Sequence, residues 1–286
     1  MAASRLTLTH VKRKLPPDSL RVDDLKKIAI PGWVHALLAA ALLGGALPVG
    51  AIDGGAGKVK DVETPAAANE EAAYKFTPSF YRTTNVTPAY DLNLRRDDGG
   101  QLTWIGFYQR SNEFQQLRLG YEKTWTLPYV KVTPSLQYAT RGFLGGSLTG
   151  EIGERYFALV GFGRTNLKDY FNLNFDPNDM VLFGAGTRAL PNTTLSLFQV
   201  RDDRLGTGQR MSHLVARYKP DEKNRWTVDL FYKEGRADAD PASERVHGTG
   251  VTLTWDHERY FARIASDPYV NFSNNHMVRV AAGWRF

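Results

Sequence analysis

From Tyr74 to the last residue, Phe286, the chain repeats one pattern: apolar and polar side chains alternate in short runs. The run AYDLNL sets Tyr90, Leu92 and Leu94 against Asp91 and Asn93. The run VKVTPSLQY sets Val130, Val132, Leu136 and Tyr138 against Lys131, Thr133 and Gln137. RWTVDLFYK and GVTLTWDHE repeat it with Trp226, Val228 and Leu230, then Val251, Leu253 and Trp255. A period of two belongs to strands with one apolar and one polar face. Turn signals such as DDGG, LPNT and KPDEKN separate the runs, and no amphipathic helical period interrupts them. YFNLNF, Phe171 to Phe175, reads as another strand. So many half-apolar strands leave unpaired edges unless the sheet closes on itself. The fold class expected is all-β, an antiparallel up-and-down barrel of 12–14 strands over residues 74–286.

The next question is what medium meets the apolar face. A soluble barrel would alternate too. Three features favour lipid. Aromatic residues recur near strand ends (Trp104, Tyr121, Tyr138, Trp226, Tyr232, Trp255, Tyr260 and Trp284), where an interfacial girdle needs amphipathic rings. The polar parity carries full charges, which suit a wet interior better than a dry core. And residues 26–51 have the layout of a secretory signal: Lys26 and Lys27, an Ala/Leu-rich stretch, then Val49 and Ala51 before a cleavage point. Residues 1–51 therefore read as an extended leader with its signal peptide, and 52–73, rich in Gly, Ala and acids, as a flexible periplasmic segment. With mean hydropathy −0.37, no run is long and apolar enough for a membrane helix, which leaves strands as the crossing elements.

Composition excludes other classes. There is no cysteine, hence no disulfide framework, thiolate metal site or cysteine nucleophile. The net charge of +6 would suggest a nucleic-acid partner. Residues 1–51, however, hold seven Lys/Arg against three Asp/Glu, and the rest of the chain holds 29 against 27. The basic excess sits mainly in the leader, so no nucleic-acid role is expected.

The tail, MVRVAAGWRF, places Val278, Val280, Ala282, Trp284 and Phe286 on one parity. A last strand with this spacing and a terminal aromatic resembles the C-terminal targeting strand of bacterial outer-membrane β-barrel proteins. The resemblance implies export through the periplasm to the outer membrane and assembly by the barrel-assembly machinery, with Val278, Val280, Trp284 and Phe286 as the signal. It also implies that the C-terminus is periplasmic. DHER, KPDEKN and LPNT are then periplasmic turns, and residues 201–211, 234–248 and 267–275 are outer loops. Counting back in this frame makes Tyr90–Asp97 the first of 14 strands and leaves Tyr74–Tyr81 as a plug, a lead-in or half of a split strand.

On the polar parity stand Arg95, Arg118, Lys131, Arg217, Lys233, Arg279 and Arg285, against Asp91, Glu122, Asp229 and Asp256. Fixed lumen charge sets the sign of what passes a pore. The expected function is a pore or transporter for small polar, anionic solutes; the same charges in a plugged barrel would be a salt-bridge ladder. A structural or adhesive surface barrel and a lipid-modifying or proteolytic barrel enzyme remain alternatives. For the enzyme, Ser273 with His276, or His247 near Asp238, Asp240 and Glu244, are the pairs to consider, and none has telling spacing. Ser212 and His213, being adjacent, point to opposite faces. No spacing suits a metal and no motif calls for a cofactor. The glycines of GFGRTN and LFGAGTRAL suit strands crowded by a large neighbour. Outer-membrane lipids and small solutes are the expected partners.

Overall fold

A computed structural model describes residues 74–111, 113–171 and 176–286. The leader and the segment 52–73 lie outside the described residues, as do Asn172 to Phe175 of the expected YFNLNF strand. Among the described residues, fifteen strand segments form one antiparallel sheet. In chain order they are β1 Tyr74–Thr83, β2 Ala89–Asp97, β3 Gln101–Arg110, β4 Phe114–Lys123 and β5 Trp125–Leu127. There follow β6 Val130–Ala139, β7 Phe143–Gly153, β8 Tyr156–Thr165, β9 Met180–Leu190 and β10 Thr193–Asp202. The last are β11 Arg210–Tyr218, β12 Asn224–Arg236, β13 Arg245–His257, β14 Tyr260–Asp267 and β15 Met277–Arg285. Both β4 and the short β5 pair with β6, so these two act as one interrupted strand. β1 pairs with β15, and the sheet closes as a 14-strand barrel.

Tyr74–Thr83 is therefore the first strand of the barrel. It is not an extra piece. The displaced member of the count is Phe171, which lies in the connection between β8 and β9 and not in a strand. Short turns gather at the end that holds Tyr74 and Phe286; Glu258 and Arg259 alone join β13 to β14. The longer connections (166–179, 203–209, 237–244 and 268–276) stand at the opposite mouth.

The burial pattern is inverted relative to a soluble protein. The outer face is apolar: Leu197, Leu214, Leu230 and Val251 form one cross-strand row over β10 to β13, all exposed. Toward the terminus end the same strands carry exposed Tyr218, Trp226 and Trp255 in register. The enclosed side chains include Arg118, Arg285 and Lys233 at 0–1 % exposure. Such an exterior is stable where lipid replaces water, and such an interior where charges meet counter-charges or water. Arg118 forms an ion pair with Asp91, both fully enclosed.

Two interior glycines follow from close packing. A Cβ on Gly120 would lie 2.2 Å from the Trp104 indole, and one on Gly186 would lie 2.3 Å from the Phe157 ring. Trp104 thus belongs to the lumen, not to the interfacial girdle expected of it: Gly120 on the neighbouring strand opens the slot it fills. Gly186, in LFGAGTRAL, makes room for Phe157 across the strand pair, as that motif suggested.

Two substitutions test this inversion by urea titration of the barrel in lipid vesicles. Leu214→Arg, at the middle of the apolar face, should cost about 2–4 kcal/mol, whereas Thr149→Lys, on the lumen side, should cost much less. Arg118→Met leaves Asp91 enclosed without its ion-pair partner and should cost about 3–5 kcal/mol, more than the double change Arg118→Met/Asp91→Asn.

Candidate functional site

The lumen holds the chemistry, because period-2 strands aim every second side chain at it. All seven cations singled out from the sequence lie on the lumen parity, but in different settings. Arg118 pairs with Asp91. Lys131 pairs with Glu151 at 3.0 Å, and Arg188 joins the same carboxylate at 2.9 Å. Arg285 pairs with Asp256, which also faces Arg225 at 3.3 Å. Lys233 meets Asp267 at 2.5 Å. Arg95 Nε donates to the Asn93 side chain at 2.8 Å. Arg217 sits beside Thr227 and Thr194 in register.

The register sorts the cations by strand. Arg285, Lys75 and Arg95 are direct cross-strand neighbours on β15, β1 and β2, all facing inward. Like charges placed opposite each other disfavour a sheet, and Asp256 beside Arg285 offsets part of that cost. Phe261 relieves part of it: the Lys75 ammonium lies 4.1 Å from its ring centroid and the Arg285 guanidinium 5.6 Å. Arg263 and Arg279, one residue pair apart diagonally on β14 and β15, extend the same wall. The wall of β6 to β10 is different. On β6 and β7 Thr133 faces Thr149 and Ser135 faces Ser147 with hydroxyls 2.7 Å apart, while on β8 to β10 the inward side chains Phe157, Leu159, Met180, Leu182 and Val200 form a buried apolar cluster beside Gly161 and Gly163.

The connection between β8 and β9 turns into the barrel. Gln116, fully enclosed on β4, grips it at two points: Nε2 donates to the Asp169 carbonyl at 2.8 Å and Oε1 accepts the Phe171 N–H at 2.9 Å. Arg118 Nη1 donates to the Phe171 carbonyl at 3.1 Å. The Phe171 ring stacks on Tyr108 at 3.5 Å and meets Tyr81 edge-on at 5.4 Å, while Tyr170 stacks on Phe143 at 4.1 Å. Burial pushes the Tyr170 phenol up to about 12, so it stays neutral there. The other end of the connection reaches β11, where Asp176 Oδ1 lies 3.0 Å from His213 Nε2. Asp229 approaches the other ring nitrogen, Nδ1, at 3.0 Å. A neutral imidazole has one N–H and can donate to one carboxylate only; donating to both requires the imidazolium. β4 and β11 stand nearly opposite in the ring of strands, so the two described ends of this connection grip opposite walls.

Asp179 anchors the exit, accepting from the Thr165 N–H and hydroxyl at 3.1 and 2.6 Å and pairing with Arg204 at 2.5 Å. The β14–β15 connection also bends inward: Val270 and Phe272 are buried in one cluster with Tyr81, Tyr108, Met211 and Phe231. An apolar collar thus narrows the mouth opposite the termini, and the basic wall lies beyond it.

Sequence reasoning did not find His213, Asp176 or the Gln116 grip. It placed His213 on the face opposite Ser212, which holds: Ser212 accepts from Gln199 on the outer face at 2.6 Å. The other histidines do not pair as considered. The Ser273 hydroxyl donates to the Val270 carbonyl at 2.7 Å, and His276 packs against Tyr269 with centroids 5.2 Å apart. His247 is an exposed residue of β13 opposite Glu234, while Asp238 accepts from Ser243 and Glu244 from Asn274. Among the described residues no group of three or more His, Asp or Glu is placed to hold a metal.

No family model and no curated protein matches the sequence. Solved structures do resemble the fold. The outer membrane protein Omp33 of Acinetobacter baumannii matches with a TM-score of 0.50 at 9 % identity, over 75 % of this chain and 98 % of that one. The KdgM porin, solved with disordered oligogalacturonate, matches at 0.42 and 8 % identity over 74 % and 99 % of the two chains. The NanC porin matches at 0.38 and 8 % identity over 74 % and 100 %. The fold of this chain is that of a bacterial outer-membrane β-barrel.

Proposed function

We propose that the chain is an outer-membrane pore that passes small anionic solutes. The observation that carries this reading is the inward row Arg285, Lys75 and Arg95, extended by Arg263 and Arg279. A wall with this excess of cations attracts anions and repels cations, because a low-dielectric barrel focuses its field into the water within. The hydroxyls of Thr133, Ser135, Ser147 and Thr149 on β6 and β7 offer a solute polar contacts across the lumen, beside the apolar cluster of β8 to β10. The described ends of the β8–β9 connection narrow the lumen from two sides, the first held at Gln116 and the second at His213. The outer membrane is the matching location: the lipid-facing exterior and the tail strand ending in Trp284 and Phe286 support it, and Val278, Val280, Trp284 and Phe286 would serve as the assembly signal.

Reconstitution in planar bilayers under a potassium chloride gradient tests the proposal. The reversal potential should have the sign of anion preference. Lys75→Gln/Arg95→Gln should move it toward zero or beyond, with the barrel still folded. A folded barrel that conducts no ions, or a reversal potential unchanged by the double substitution, sinks the reading.

Release of the inward connection is separately measurable. Gln116→Ala or His213→Ala should raise single-channel conductance and its fluctuations, because either change removes one of the two grips on that segment. Unchanged conductance in both variants would place the narrowest point elsewhere.

A further inference from the structure

The outer face of β10 to β13 carries a feature that neither the barrel nor a pore requires. Four residue positions along the strands from the exposed Leu197, Leu214 and Leu230 row, toward the mouth opposite the termini, Arg201 stands directly opposite Arg210. Both are exposed and both face outward. On the next strands in register, Glu234 pairs with Arg210 and also with Arg245 at 3.1 Å, so one carboxylate serves two guanidiniums. Arg201 has no carboxylate partner among the described residues. Its Nε donates to Gln199, whose amide is itself held by Ser212 at 2.6 Å, and its guanidinium lies 4.9 Å from the centroid of the lipid-facing Phe183 ring. The Arg201 head is thus fixed by two neighbours, with its terminal nitrogens left to other acceptors.

We infer that Arg201, Arg210 and Arg245 form a binding site for a lipid headgroup bearing phosphate monoesters, the chemistry of outer-leaflet glycolipids. Like charges directly opposite on a sheet face are destabilising, and an anion bridging them removes that cost. A phosphate monoester presents several acceptor oxygens and up to two negative charges, which suits two adjacent guanidiniums donating in parallel. The ligand is a lipid and not a free anion because of where the site lies. It sits on the membrane-facing side, and Leu197, Leu214, Leu230 and Val251 continue below it as a surface for acyl chains. Tyr232, exposed between the two rows, marks the boundary level between them. The inference rests on the outer-membrane location but not on conduction: the arginines lie outside the lumen, so their loss should leave the reversal potential unchanged.

Native mass spectrometry of the detergent-purified full chain tests it, with added diphosphoryl lipid A as the probe. The folded barrel should retain it at least tenfold more tightly than the same lipid with its phosphates removed. Arg201→Gln/Arg210→Gln should lose that preference, and Arg82→Gln, an exposed arginine of β1 opposite Val278, should keep it. If the double variant no longer shows the faster unheated gel mobility of a folded barrel, Arg201→Gln alone is read, since Arg201 holds no ion pair. Equal retention of the two lipids, or an unchanged preference in the Arg201 variants, overturns the inference. Displacement of the lipid by inorganic phosphate at equal concentration also overturns it, by marking a site for soluble anions.

Discussion

The pairing of β1 with β15 is the contact on which everything else depends. At the seam the Tyr74 N–H donates to the Phe286 carbonyl at 2.9 Å and the Phe286 N–H returns to the Tyr74 carbonyl at 3.0 Å. The two rings stack at 5.6 Å on the outside. In a hydrocarbon surround an unpaired backbone group costs several kcal/mol, about the worth of a whole hydrogen bond in a dry medium. A sheet of this length with an open edge would leave a row of such groups in lipid. Closure removes them all at once, and it then dictates two surfaces. One is convex and meets lipid, the other is concave and is sealed from it.

The concave surface has a size problem. A ring of 14 strands encloses more space than an eight-strand barrel, since diameter grows with strand number. Part of the width is taken by chain: the described residues up to Phe171 and the connection 268–276 fold inward and set Phe171, Val270 and Phe272 in one cluster with Tyr81 and Tyr108. The rest is lined by charge. An Arg or Lys in this space keeps its charge cheaply only where carboxylates or water reach it. The pairs Asp91–Arg118 and Lys233–Asp267 solve the problem locally. The row Arg285, Lys75 and Arg95 gathers cations side by side, with Asp256 paired to Arg285 at its end.

What was legible in the sequence follows from the range of the interactions involved. The face of each strand is fixed by its own alternation, so the inward set from Arg95 to Arg285 and the outward set from Val278 to Phe286 could be read one strand at a time. The place of β1 was missed because strand number was counted through YFNLNF. Phe171 there has a strand-like neighbourhood but is held by Gln116, 55 residues earlier in the chain. No local pattern announces that grip. Trp104 was misassigned for a related reason: LTWIGFYQ is apolar on both parities, and the deciding residue is Gly120 on the adjacent strand. His213 looked idle because its partners, Asp176 and Asp229, lie 37 and 16 residues away. Long-range side-chain contacts decided each of these cases, and alternation carries no information about them.

The two groups of basic residues obey different rules because they face different media. Inside, the cations of β14, β15, β1 and β2 meet water and fixed carboxylates, so their excess is tolerable and its strength falls with salt. Outside, at the rim of β10 to β13, Arg201 and Arg210 stand on the lipid-facing side, where Glu234 is the counter-charge to Arg210 and Arg245 and none is paired with Arg201 among the described residues. A long arginine stem covers apolar surface while its head reaches the headgroup layer. The Arg201 and Arg164 guanidiniums themselves lie over the Phe183 and Phe162 rings, 4.9 and 4.0 Å from the centroids. Beyond residue 51 the chain is close to charge balance, so neither concentration follows from composition. Each arises from register: strand pairing brings Arg285 beside Lys75 and Arg201 beside Arg210, and a slip of one residue in either pairing would separate both.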